Sequence, residues 1–317
     1  MSQPWLQQQE RGTVFAMKLI VWVSLLLGRR LGRALLVPVT SYFMISSPAA
    51  RRASRDYLRR VLDREPGWRH LFRHFYTFAS VLLDRAFFVS GRLHYFRINK
   101  YGLETPRDVA AAGRGCLFLG AHLGSFEVVR IGAARKWGLT IHMMMYERNA
   151  LKIKRVMESM QGGVTLKVLP IGSVDAMIQA KQCSERGEML AILGDRSVAQ
   201  DKTVTVPFLG REAVFPVGPI LAAAALKLPV VLFFGLYMGG NAYEEHFELF
   251  AERVDLGRGD RQEAARQWVR RYAERLEAYC RKAPYNWFNF FDFWQPALPE
   301  AAVSSSSGGS PAAVRDA

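Results

Sequence analysis

The sequence predicts an α/β protein in which a largely parallel or mixed sheet is flanked by helices, with an N-terminal hydrophobic membrane-anchoring helix. Three observations predict it. Short strand-like runs alternate with helix-like stretches from about Tyr101 onward, a 14-residue apolar run lies near the N-terminus, and positive charge crowds the first third of the chain. The 317 residues are 50% hydrophobic and 22% charged, a composition that supports a large buried core and excludes a disordered chain. Lys and Arg number 43 against 28 Asp and Glu, for a net charge of +15, and residues 1–100 hold 17 basic and five acidic side chains. Such a basic face suits anionic lipid, an acidic protein or nucleic acid.

The first element is Val14 to Leu27, apolar except for Lys18 and Ser24 and followed by Arg29, Arg30 and Arg33. A spanning helix needs about 20 apolar residues, so this run is either a helix lengthened by snorkelling side chains or one lying in the membrane interface. As a span, the arginines behind it would place the body in the cytoplasm. A cleaved signal peptide fits less well, because no small-residue cleavage site follows promptly. The second apolar run, Ala34 to Ile45, contains Pro38 and is expected to break there and fold against the membrane or the body.

Arg51 to Val89 reads as two helices separated at Pro66 and Gly67, the first densely basic and the second carrying Leu71, Phe72, Phe75, Phe78, Ala79 and Leu82 at helical spacing. Strands are expected at Cys116–Leu119, Thr140–Met145, Thr165–Leu169, Met189–Leu193, Val230–Tyr237 and Phe247–Phe250. Helices are expected at Glu127–Trp137, Ala150–Gln161, Ser173–Arg186 and Pro216–Lys227, with a last amphipathic helix from about Arg261 to Lys282. That alternation argues for a largely parallel sheet. Residues 1–45 form the expected anchor, 46–300 the main domain with a helical lead-in over 46–100 and an α/β core over 101–300, and 301–317 a disordered tail of linker composition.

Cys116, Cys183 and Cys280 are too few and too scattered for a disulfide framework or a zinc site, and plain thiols are expected. His70 and His74 stand at helical spacing, but few acids lie near enough in sequence to complete a metal site, so no metal and no cofactor are predicted. The chain has no Gly-x-Ser-x-Gly elbow, no P-loop and no Gly-x-Gly-x-x-Gly after a strand, which disfavours serine hydrolases, nucleoside triphosphatases and dinucleotide enzymes. Nucleic acid is not an expected partner, because no recognised binding module appears and the basic third is fused to an apolar segment.

The best clue to chemistry is Gly120-Ala-His-Leu-Gly-Ser-Phe-Glu127, directly after an apolar strand. On one continuous helix His122 and Glu127 would lie about 140° apart, since each residue turns about 100°. With His122 in the loop closing the strand, Ser125 as an N-cap and Glu127 in the first helical turn, the carboxylate could meet the imidazole. A carboxylate on one ring nitrogen fixes the tautomer and leaves the other nitrogen to take a proton from a hydroxyl. The alternative is a loop histidine beside a solvated helix-start acid. Tyr146-Glu-Arg-Asn149 and Gly194-Asp195-Arg196-Ser197 also follow strands, where Arg148 or Arg196 could hold an anionic phosphate, or equally form surface ion pairs. The run Tyr285-Asn-Trp-Phe-Asn-Phe-Phe-Asp-Phe-Trp294 is dense enough to pack a core or a lid.

The ordered set comprises the N-terminal anchor, SPAARRASRDYLRRVL, FRHFYTFASVLLDR, GAHLGSFE, YERN, GDRS…VTVPFLGREAVFPVGP and YNWFNFFDFW. This set resembles the bacterial lipid A late acyltransferase family, within the lysophospholipid acyltransferase-like group marked by His-x4-Asp or His-x4-Glu, over nearly the whole chain. The resemblance implies transfer of a fatty acyl chain from an acyl carrier protein thioester to a hydroxyl of a lipid or glycolipid acceptor at the inner membrane, without a metal. It implies His122 and Glu127 as the catalytic base and its partner, and Arg148, Asn149, Asp195 and Arg196 as acceptor-binding or site-shaping residues. Ala121 stands where lipid A enzymes generally show asparagine, and the acceptor stays open between lipid A and other bacterial glycolipids, ornithine lipids or aryl-polyene lipids. The competing expectation is a non-catalytic, membrane-peripheral binding or scaffold protein on the same fold.

Overall fold

The computed structural model describes residues 14–111, 113, 115–137, 140–146, 167–171, 174–197 and 201–294. The expected helix at 150–161 and the expected tail at 301–317 lie outside these residues. Seven strands form one sheet in the order β1-β9-β8-β2-β5-β3-β4. In chain order they are β1 (Arg97–Tyr101), β2 (Leu117–Gly120), β3 (Ile141–Tyr146), β4 (Lys167–Ile171), β5 (Met189–Leu193), β8 (Val230–Gly239) and β9 (Ala242–Ala251). Strands β8, β2, β5, β3 and β4 run parallel, while β9 returns antiparallel to β8 and β1 runs parallel to β9. The sheet is therefore mixed but mostly parallel, as the alternation of elements predicts.

The hydrophobic pattern explains why the sheet is sandwiched. Strand β2 is buried along its whole length, and its alternate side chains face opposite layers: Leu117 and Leu119 enter one core, Cys116 and Phe118 the other. Strand β5 repeats the arrangement with Leu190 and Ile192 against Met189 and Ala191. Strands buried on both faces read as continuous apolar runs, which is why these were legible in the sequence. An added hairpin, β6 (Thr203–Phe208) with β7 (Arg211–Pro216), closes through Leu209 and Gly210, both with positive φ, as a two-residue hairpin turn requires.

The helices are α1 (Val14–Leu27), α2 (Arg29–Ser46), α3 (Pro48–Leu62), α4 (Trp68–Val89), α5 (Glu104–Ala111), α6 (Phe126–Trp137), α7 (Val174–Glu185), α8 (Gly218–Leu226) and α9 (Arg261–Lys282). Strand β1 and helix α5 carry too little periodic apolar character to be seen in the sequence. Two expectations for the N-terminal helices are corrected. Pro38 does not break the second apolar run: α2 continues through it, with Gly32, Leu36, Thr40 and Met44 buried at four-residue spacing. Pro38 and Ala34 both lie on the exposed side, where solvent can satisfy the carbonyl that a proline ring leaves without its amide partner.

Arg29 and Arg33 are likewise not simple flanking charges. Arg29 is buried and clasps Asp84 of α4 through two parallel bonds of 2.6 Å, and the Tyr243 hydroxyl donates to the same carboxylate at 2.8 Å. Arg33 bonds the Gly240 carbonyl and lies over the rings of Tyr76 and Tyr237. These arginines tie α2 to α4 and to the β8–β9 hairpin. Among the described residues no helix is long and apolar enough to cross a membrane. Trp22, Leu26, Leu27, Leu31, Tyr42 and Ile45 of α1 and α2 nevertheless face outward, with Trp22 61% and Ile45 67% exposed. Cys116, Cys183 and Cys280 are free thiols, as expected.

Removing one member of a buried ion pair leaves its partner charged and unsolvated, at a cost of about 3–5 kcal/mol. Asp84→Ala should lower the unfolding free energy by that amount in a denaturant titration, whereas Asp108, which is exposed and paired with Arg107 at 3.3 Å, substituted alike, should change it by under about 0.5 kcal/mol.

Candidate active site

Strand β2 delivers His122 to the carboxyl edge of the sheet. The parallel register pairs Gly120 with Leu193, so the residues two positions further on, His122 and Asp195, emerge side by side. The fully buried Asp195 carboxylate then takes the imidazole Nδ1 at 2.8 Å and the His122 backbone N–H at 3.0 and 3.1 Å. Trp287 Nε1 and Asn289 Nδ2 complete its shell at 3.0 and 2.9 Å. Burial alone would raise the Asp195 pKa, but the His122 imidazole, the Arg196 guanidinium and the Asn289 donor outweigh it and hold the carboxyl at about 2. It is ionised at any ordinary pH. An ionised acceptor on Nδ1 keeps the proton on that nitrogen and leaves the lone pair on Nε2, the ring nitrogen away from the carboxylate, in a side chain that is 31% exposed.

The imidazole pKa is lowered by desolvation first and then by Arg196, with Asp195 opposing both. The ring is thus neutral at pH 7 and able to accept a proton. Arg196 is held by Asn289 Oδ1 at 2.6 Å and the Phe288 carbonyl at 2.9 Å, above the ring of Phe291. Burial lowers its own pKa to about 10, although Asp195 raises it, so it remains a cation.

The loop after His122 is shaped by close backbone approaches. Gly124 has φ +70°, and a Cβ there would stand 2.1 Å from the Gly235 carbonyl oxygen. The N–H groups of Gly124 and Ser125 donate to the carbonyls of Asn286 and Gly235 at 2.8 and 2.7 Å. Ser125 caps α6 as expected, its Oγ accepting from the Val128 N–H at 3.4 Å. The backbone N–H groups of His122, Gly124 and Ser125 are therefore all committed to these contacts.

Glu127 lies in the first turn of α6, as expected, but its carboxylate does not reach His122. One oxygen pairs with Arg85 of α4 at 2.7 Å and the other accepts from Arg130 Nε at 2.9 Å, with the group 3% exposed. The expected His122–Glu127 contact is thus corrected to His122–Asp195. The physical reason is direction: Glu127 starts a helix packed on α4, and Arg85 and Arg130 neutralise it on that side, while the sheet register places Asp195 at Nδ1. Arg148 and Asn149 lie outside the described residues.

The sequence did not reveal that Trp287 and Asn289 hold Asp195, or that Asn286 clamps the end of β8 by accepting from the Tyr237 N–H at 2.7 Å and donating to its carbonyl at 3.0 Å. The available signal was polar residues at 286 and 289 within an aromatic run, where buried amides need fixed partners. Behind them His74 is wholly buried, its Nε2 donating to the Trp287 carbonyl at 2.9 Å and its Nδ1 accepting from Ser54 Oγ at 2.8 Å. Desolvation lowers its pKa to about 4, against the opposing backbone bond, so it packs as a neutral ring.

A mixed, mostly parallel sheet with a carboxylate-backed histidine at its carboxyl edge is an arrangement with the chemistry to accept a proton from a bound hydroxyl. The model of the bacterial lipid A biosynthesis acyltransferase family matches residues 76–295, and the chain belongs to that family. The matched segment contains His122, Glu127, Asp195 and the closing aromatic run. No curated protein matches the chain.

Two outcomes test this geometry. In an NMR titration His122 should protonate below pH 6.5. Asp195→Asn should lower its midpoint further, because the carboxylate raises it, and Arg196→Gln should raise it by removing a like charge. Gly124→Ala should cost at least about 1–2 kcal/mol for the left-handed backbone alone, read from the unfolding free energy.

Proposed function

We propose that this protein moves a fatty acyl chain from an acyl carrier protein thioester to a hydroxyl of a lipid or glycolipid acceptor at the cytoplasmic face of the inner membrane. The observation that carries the reading is the setting of His122 in a chain of an acyltransferase family: Nδ1 bound to an ionised, buried Asp195, on a side chain that is 31% exposed. In the proposed step, Nε2 takes the proton of the acceptor hydroxyl while its oxygen attacks the thioester carbonyl carbon. The tetrahedral adduct collapses, the carbon–sulfur bond breaks, and the imidazolium returns the proton to the departing thiolate. Product ester and free thiol balance the reactants, and no acyl-enzyme is required.

With the N–H groups of His122, Gly124 and Ser125 engaged, we assign stabilisation of the anionic adduct to the Arg196 cation, whose charge the imidazole feels. Glu127 is assigned to positioning: it fixes the start of α6, and hence the loop carrying His122, against Arg85 and Arg130. Arg148 and Asn149 are assigned to the acceptor by the resemblance of the YERN segment. The outward apolar residues of α1 and α2, beside the basic helix α3, support seating in the membrane interface. Net charge of +15 supports steered encounter with an acidic carrier protein.

The test is transfer of radiolabelled acyl chains from acyl carrier protein into lipid by purified protein in vesicles. His122→Ala should lower kcat by about 10²–10⁴ and Asp195→Asn by up to about 10⁴, with vesicle binding unchanged. Transfer at the full rate by His122→Ala would overturn the base assignment, and no transfer by the unaltered protein would favour the non-catalytic scaffold. Fatty acid released without any acceptor lipid would indicate a hydrolase.

A further inference from the structure

At the opposite end of the sheet, where the parallel strands begin, a second group of side chains converges. His142 sits one residue into β3, Cys183 lies in the last turn of α7, and Glu188 immediately precedes β5. One ligand atom from each, an imidazole nitrogen, the thiol sulfur and a carboxylate oxygen, lie within 4.8 Å of one another. His142 and Cys183 are 8% and 4% exposed, and Glu188 is partly buried. The group borders an open pocket of about 380 Å³ lined by His142, Lys167, Gln179, Gln182, Cys183 and Arg186. Six residues, 189–194, separate Glu188 from Asp195 along β5 and its flank, so this group lies roughly 20 Å from the candidate active site.

We propose that His142, Cys183 and Glu188 form a binding site for a zinc-type divalent cation. Nitrogen, thiolate sulfur and carboxylate oxygen are the three donor types that such an ion takes, at about 2.0–2.3 Å, and three protein donors beside an open pocket leave the fourth tetrahedral position to water. Tetrahedral donors around such an ion stand about 3.4 Å apart. His142 Nε2 and Glu188 Oε2, now 2.9 Å apart, need to separate by only about half an ångström. Binding converts the Cys183 thiol to a metal-bound thiolate and releases its proton to solvent.

Arg186 occupies the place of a competing cation. Its guanidinium donates to Glu188 Oε2 at 2.9 Å and to Cys183 Sγ at 3.2 Å, and its side chain is 56% exposed, free to swing toward solvent when a metal ion takes over the charge. Glu188 thus holds one positive partner in either state. The three donors are spread over 46 positions of sequence and three elements, so only the pairing of β3 with β5 brings them together. A metal ion there would pin α7 to the sheet edge.

The experiment titrates cobalt(II) into the purified full-length protein and follows the thiolate-to-metal charge-transfer band and the tetrahedral d–d absorption, with zinc competition giving the zinc affinity. One cobalt per chain should appear with both bands. Cys183→Ser should abolish the charge-transfer band, and His142→Ala should weaken zinc binding by at least about 100-fold. Both variants should keep acyl transfer, which is carried by the distant edge. Absence of cobalt absorption in the unaltered protein, or an identical charge-transfer band in Cys183→Ser, overturns the proposal. Arg186→Gln leaves all three donors in place and covers failure of the other variants to fold. It should bind zinc several-fold more tightly, and unchanged or weaker binding overturns the proposal.

Discussion

The carboxylate of Asp195 is the point on which the site depends. It is a full negative charge with no solvent access, and it persists because four donors from three places meet it: the backbone and ring of His122 after β2, the indole of Trp287 and the amide of Asn289. A buried carboxylate with that many hydrogen bonds is stable as an anion and fixes whatever donates to it. One group therefore sets the tautomer of the imidazole, docks the closing aromatic segment and joins two neighbouring strand ends. The same segment carries Asn286, which bonds the end of β8, so the floor of the site is a closed circuit through β2, β5 and β8.

Two acidic residues bear on the histidine loop, Glu127 five residues along the chain and Asp195 alongside in space, and their environments divide the work between them. Glu127 is neutralised on the α4 side by Arg85 and Arg130, which turns it into a strut between helices. Asp195 faces the imidazole with no arginine hydrogen-bonded to its carboxylate among its described contacts, so its charge acts on the ring. Burial lowers the basicity of that ring, and the Arg196 cation lowers it further, which keeps the imidazole neutral at pH 7. Imidazole, carboxylate and guanidinium thus sit together at one sheet edge.

The N-terminal helices show how one composition serves two surfaces. Their inward side carries Arg29 into a buried bidentate pair with Asp84 and threads small residues between helices. At Gly32 a Cβ would stand 2.2 Å from Ser24 Oγ. Their outward side presents Trp22, Leu26, Leu31 and Tyr42. A short apolar run followed by arginines therefore reads as a membrane signal by composition, yet part of its charge is spent inside the protein. Composition reports how many charges a segment has, and only packing decides which of them water or lipid will meet.

The sequence by itself determined the α/β class, the doubly buried strands Met189–Leu193 and Val230–Tyr237, the helix Arg261–Lys282, the cap at Ser125 and the loop placement of His122. These follow from local chemistry: apolar runs buried on two faces, 3.6-residue periodicity, and a side-chain oxygen ahead of orphan amides. It also marked Asp195 and Arg196 as residues at a strand's carboxyl end. What it could not determine was which acid meets the histidine, because Glu127 is five residues away in the chain whereas Asp195 is 73 away and is brought alongside by strand register. The antiparallel course of β9, the β6–β7 hairpin and the polar duties of Asn286, Asn289 and Trp287 were decided the same way. Register and packing are set by the summed burial of distant segments, and no local pattern encodes that sum.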